Sequence, residues 1–156
     1  MLMWQKWPFP GGDRGFTLVE ILVAIGIFAI LAAIAVPNWG TLLPTYSLNS
    51  AARQVQSELH SIKAKAISQN SSLQLNVAND SSSTYDLKSG STVLSTKTLP
   101  EGIQVSTAVS VSFTSRGTAS NRTFKLKNSK DECKLVIVSN TGRIRVCKPS
   151  TCNDTC

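Results

Sequence analysis

Arg143 and Arg145 stand two residues apart behind a glycine, Gly142, near the end of a chain of 156 residues. On a β-strand, side chains two apart share a face. Two guanidiniums held side by side suit phosphate oxygens, because each planar fork makes charge-assisted, bidentate hydrogen bonds. Their surroundings are basic. Arg116, Arg122, Lys125, Lys127, Lys130, Lys134, Arg143, Arg145 and Lys148 face only Asp131 and Glu132, so this stretch alone carries +7, the net charge of the whole chain. Such an excess points either to a polyanionic partner or to a solvated face that keeps the protein soluble. Lys148, Lys134, Lys130 and Arg116 are the candidate helpers of the two arginines by charge and proximity in sequence.

The other reactive groups are few. Cys133, Cys147, Cys152 and Cys156 all follow residue 130, a clustering that reads as disulfides in an exported domain. A zinc site is the poorer reading, since the single histidine, His60, is distant and no CxxC pair exists. Acidic residues are scattered, and no triad, Gly-rich phosphate loop or metal-ligand spacing is present, so neither catalysis nor a cofactor is expected. One carboxylate is out of place: Glu20 lies inside the apolar run Phe16–Val36. A charge in lipid costs about 2.5–3.5 kcal/mol and is normally kept for a partner.

That run of 21 residues is long enough to span a bilayer. Pro37 ends it, and Pro44 predicts a second irregularity. Beyond lies a helical stripe, with Leu48, Ala52, Val55, Leu59, Ile62 and Ala66 spaced by three or four and Arg53, Gln56, Glu58, Lys63 and Lys65 on the polar face. A helix of about fifty residues is therefore expected to leave the membrane and end at Asn70-Ser71-Ser72. From Leu73 the pattern turns to short alternating runs between Gly, Ser, Asn and Pro turns, the signature of an antiparallel sheet. The fold class is α+β, with the helix laid on a sheet. The expected boundaries are a leader at 1–15, an apolar helix at 16–37, an amphipathic helix at 38–70, a β head at 71–148 and a Cys-containing tail at 149–156.

The last two runs, Cys133–Val138 and Arg143–Cys147, flank a turn in which Gly142 takes the left-handed position of a three-residue loop. A register with Cys133 opposite Cys147 and Ile137 opposite Arg143 favours Cys133–Cys147 and Cys152–Cys156 among the three possible connectivities. In it Val136, Val138, Ile144 and Val146 face the core, and Arg143 and Arg145 face away.

The string Gly15-Phe16-Thr17-Leu18-Val19-Glu20, followed by the apolar run and Pro37, resembles the processing signature of type IV prepilins. The resemblance implies that a prepilin peptidase cuts between Gly15 and Phe16, that the new Phe16 amine is methylated, and that Glu20 and Pro37 serve assembly. Lys6 and Arg14 would hold the leader in the cytoplasm. In a filament the Glu20 carboxylate would pair with the Phe16 amine of another pilin subunit. The implied location is the bacterial inner membrane, crossed once with the head in the periplasm, and then the pilus.

Residues 48–148 resemble the GspH/FimT family of minor pilins through Ala51–Val55, Ala64–Ile67, Phe113–Ala119 and Gly142–Arg145. Gly142-Arg143-Ile144-Arg145 matches the GRxR motif of the FimT-type members, which bind DNA during natural transformation. The resemblance implies that Arg143 and Arg145 bind phosphates of double-stranded DNA and that Gly142 shapes the turn. Its rivals are a structural minor pilin that primes or caps a pilus and a minor pseudopilin of a type II secretion system.

Overall fold

The computed structural model describes residues 15–35 and 39–152, and these divide into two units at Trp39/Gly40. The leader up to Arg14, the kink expected at Pro37 and the last cysteine, Cys156, lie outside the described residues.

The first unit is helix α1, Leu18–Ala35. Its start is capped by Thr17, whose Oγ1 accepts the Glu20 amide at 3.2 Å. Its large apolar side chains, from Leu18 to Ile34, are all exposed. A helix apolar on every side is one that other surfaces cover. Among the described residues no helix is long and apolar enough to cross a membrane. The 18 residues of α1 rise about 27 Å, just short of a hydrocarbon core of about 30 Å.

The second unit contains helix α2, Trp39–Ser68, which runs through Pro44. Eight strands follow: β1 Leu73–Val77, β2 Thr84–Ser89, β3 Thr92–Thr98, β4 Gln104–Val105, β5 Val109–Phe113, β6 Arg122–Lys127, β7 Cys133–Val138 and β8 Ile144–Cys147. They form not one sheet but two, each of four strands, in the orders β3-β2-β1-β5 and β4-β6-β7-β8. All the pairings are antiparallel. Two isolated bridges, Phe113 to Ala119 after β5 and Ser82 to Val105 before β2, carry the pairing between the sheets.

Helix α2 covers the core with the stripe legible in its spacing. Leu48, Ala51, Ala52, Val55, Leu59, Ile62 and Ala66 are each no more than 2 % exposed. They meet the inward residues of both sheets, among them Leu75, Tyr85, Val111, Phe113, Phe124, Leu126, Val136 and Val138. Every member of this core lies between Leu48 and Ile144, so the head carries its core complete. Leu42, Leu43 and Tyr46, which precede the stripe, are exposed. The helix ends in a left-handed Asn70 (φ 48°), with Ser71 N donating to Ala66 O at 3.1 Å, which satisfies carbonyls of the last turn.

Candidate nucleic-acid interface

The β7–β8 hairpin turns over Asn140, Thr141 and Gly142. Gly142 N donates to Ser139 O at 2.8 Å, and Ser139 N donates to Arg143 O at 3.0 Å. Gly142 has φ +72°, the left-handed conformation expected for the last residue of a three-residue loop. This loop sets the register: Val138 faces Ile144, Ile137 faces Arg145 and Leu135 faces Cys147. The expected register is thus wrong by two residues. A slip of two preserves the faces. Val136, Val138 and Ile144 are buried, Val146 packs against the core, and Arg143 and Arg145 stand exposed on the opposite side. At about 3.3 Å per residue the two arginines are spaced roughly 7 Å along this face.

The same slip overturns the expected disulfide. With Ser139 opposite Arg143, Cys133 lies beyond the end of β8 and has no position opposite Cys147. Cys133 instead bonds Cys152 of the tail, with Cα atoms 5.4 Å apart. Cys147 is also disulfide-bonded, to a partner beyond the described residues. Cys133 and its neighbour on this face, Leu135, are buried but stand outside the main core, as residues on the outward side of the sheet should.

What fixes the arginine turn is its seat. Gly142 and Gly117 are both buried, and they abut so closely that a Cβ on Gly142 would lie 2.0 Å from the Gly117 carbonyl oxygen. Asn140 O accepts the Ala119 amide at 3.1 Å, which binds the hairpin turn to the β5–β6 turn. Above both glycines runs Lys63 of α2. Its Cε would be 3.2 Å from a Cβ on Gly117, and its Nζ donates to Gly142 O at 2.9 Å. Exposed Arg116 and exposed Arg143 each adjoin one of the two glycines. Arg116 is therefore brought to the arginine turn by backbone contact, across a sequence gap of more than twenty residues.

Lys130 and Lys148 are not brought there. They act on Glu132, at the other end of the hairpin. Buried Asn128 organises that loop: its Oδ1 accepts the amides of Lys130 at 3.0 Å and Glu132 at 2.9 Å, and its Nδ2 donates to Glu132 Oε2 at 2.7 Å. Glu132 Oε2 also accepts from Thr45 Oγ1 at 2.8 Å, near the start of α2. Thr45 and Lys63 are about 27 Å apart along the helix by its rise per residue. Lys134 pairs with Leu126 and shares the core-side face of β7, away from Arg145. The seven candidate phosphate-site residues thus divide: Gly142, Arg143, Arg145 and Arg116 lie at or beside the arginine turn, and Lys130, Lys134 and Lys148 do not.

The Glu132 cluster is pH-sensitive. The hydroxyl of Thr45 first, then the Asn128 amide and the charges of Lys148 and Lys130, hold its carboxyl below the usual range. A depressed carboxyl contributes stability above its unfolded pKa, and that contribution disappears as pH falls through its folded value. Glu132→Gln is expected to flatten the acid limb of the stability profile. Thermal melts from neutral pH down through the carboxylate range check this. Parallel acid limbs in the two proteins would dismiss the cluster.

Two comparisons of sequence bear on identity. The prokaryotic N-terminal methylation motif matches residues 11–36, and the profile described as type II transport protein GspH matches residues 51–142, more than half of the chain. The chain belongs to the GspH family. Solved structures agree on the fold, a type IV pilin-like one. The type IV minor pilin FimU of Pseudomonas aeruginosa is 20 % identical with a TM-score of 0.55, over 67 % of this chain and 99 % of that one. The minor pseudopilin EpsH of the Vibrio cholerae type 2 secretion system is 16 % identical with a TM-score of 0.54, over 67 % and 98 %. No curated protein matches significantly. As a GspH-type minor pilin or pseudopilin, the chain shares with its family the region that ends at Gly142, and Arg143 and Arg145 fall just past the matched residues. Lys63 lies within it and was legible only as a polar-face residue. Its position beside Ile62, on the margin of the apolar stripe, is the signal that a lysine there can cross to the sheets.

Proposed function

We propose that this GspH-family protein is a minor pilin whose head binds double-stranded DNA through Arg143 and Arg145 for uptake in natural transformation. The precursor is cut after Gly15 and methylated at Phe16 by a prepilin peptidase. Its N-terminal helix crosses the inner membrane once, with the head in the periplasm. Glu20 then registers it among other pilin subunits, and Pro37 loosens the helix. The observation that supports the DNA reading is the pair of exposed guanidiniums at the start of β8, behind a turn seated closely on Gly117. Preorganised arginines lose less entropy on meeting phosphate than arginines on a free loop. With few ligands per head, affinity is modest and salt-dependent, and several copies or other pilins would add avidity. Stacking on bases contributes little, since Tyr85, Phe113 and Phe124 are buried and exposed Tyr46 lies near the start of α2, about 25 Å along the helix from Lys63.

The soluble head, residues 40–156 with disulfides formed, tests this by titration with a short duplex at several salt concentrations. The wild type is expected to bind with an affinity that falls with salt. Arg143→Gln with Arg145→Gln is expected to remove binding and transformation while pili still assemble, and each single variant to weaken binding and lower the salt slope by about one. No binding at low salt, or an unchanged double variant, defeats the proposal.

A second reading has its own support: the Gly142–Gly117 contact explains the glycine with no ligand at all. On that reading the protein only primes or caps a filament, or serves a secretion pseudopilus. Its loss then reduces piliation or secretion, and the two arginines are dispensable.

A further inference from the structure

We infer that Lys63 of α2 is a further phosphate ligand, completing with Arg143 and Arg116 an anion site built from three separate parts of the chain. This rests on the DNA-binding reading and extends it to a residue eighty positions upstream of the arginine pair. Lys63 Nζ lies 2.9 Å from Gly142 O, one residue from Arg143. An ammonium has three donors, and the Gly142 carbonyl takes one. Two remain for an incoming oxygen. The stem of Lys63 is held over Gly117, so the charge is positioned before any ligand arrives. No carboxylate ion pair engages Lys63, Arg116 or Arg143 among the described residues. By contrast, the Lys130 and Lys148 charges are partly met by Glu132. Lys63, Arg116 and Arg143 thus bring three positive charges, without an ion pair among the described residues, to the end of α2 where the two turns meet. A duplex backbone laid along Arg145 and Arg143 reaches Lys63 and Arg116 next.

The salt series on the head separates a ligand from a brace. A lysine that touches phosphate takes about one unit of salt slope with it when removed, whereas a lysine that only shapes the turn lowers affinity at constant slope. Lys63→Met is expected to lose affinity several-fold and to lower the slope by about one. Lys63→Arg should keep the wild-type slope. Lys65→Met, which removes an exposed lysine of the same helix, should change neither quantity. Melting curves show whether Lys63→Met remains folded. If it does not, Lys63→Gln keeps a donor for Gly142 O, and the same slope decides. An unchanged slope in a folded Lys63 variant overturns the inference and leaves the arginine site standing. An equal loss in Lys65→Met overturns it in favour of diffuse charge. Absence of binding by the unsubstituted head defeats both readings.

Discussion

Gly142→Ala is expected to destabilise the head by about 3 kcal/mol or more. Two costs combine. The backbone there has φ +72°, a conformation that a side chain adopts at a cost of about 1 kcal/mol or more. The new methyl would also meet the Gly117 carbonyl oxygen at 2.0 Å, and that partner is backbone, so it moves only if the β5–β6 turn moves. The Lys63 Nζ, at 3.1 Å from the same point, would be displaced as well. Gly90→Ala is the control. Its φ is +58° and nothing lies within 4 Å of its added methyl, so it bears the conformational cost alone. Denaturant midpoints of the two variants decide the matter. Equal midpoints would mean that the hairpin turn does not sit on the β5–β6 turn. A folded but loosened Gly142→Ala should also bind duplex more weakly, since Arg143 loses its fixed base.

Cys133→Ser and Cys152→Ser are each expected to lower stability by about 3 kcal/mol, the chain-entropy value for a loop closed over a separation of 19 residues. The same experiment carries a covalent readout. Cys133 bonds Cys152 and Cys147 is also bonded, so of the four cysteines in the sequence a 147–156 link is the second one expected. Proteolysis without reduction, followed by mass spectrometry, should yield peptides linked 133–152 and 147–156. A 133–147 link would restore the register read from the sequence and contradict the pairing of Ile137 with Arg145. Because the Cys133–Cys152 bond fastens the tail to the hairpin that bears the arginines, reduction should also weaken duplex binding at unchanged composition.

Much of this was legible because it is local. The stripe from Leu48 to Ala66 follows from a period of 3.6, and the opposed faces of Ile144 and Arg145 follow from a period of two. The left-handed Gly142 follows from turn chemistry. What failed depends on relations that periodicity does not encode. A slip of two residues leaves every face unchanged, so alternation has no power to choose between Cys133–Cys147 and the register observed. One sheet and two sheets have the same alternation, and the isolated bridges at which they part leave no mark on it. The basic cluster is also divided by the fold. Lys148 is three residues from Arg145 in sequence and serves Glu132, whereas Lys63 is remote in sequence and touches the arginine turn. Charge counts taken along a chain measure proximity on the wrong axis.

Helix α2 is fastened to the second sheet at two points, by Thr45 to Glu132 near its start and by Lys63 to Gly142 near its end. Force that enters through the start of this helix acts along its axis. The buried stripe between the two fasteners then slides against both sheets as one body, so the load is shared by every contact at once. Peeling from one end would break those contacts in succession, and the Lys63 fastening blocks peeling from the far end. The head is therefore built as a lap joint, strongest in shear, which is the direction in which a subunit held by its helix is pulled.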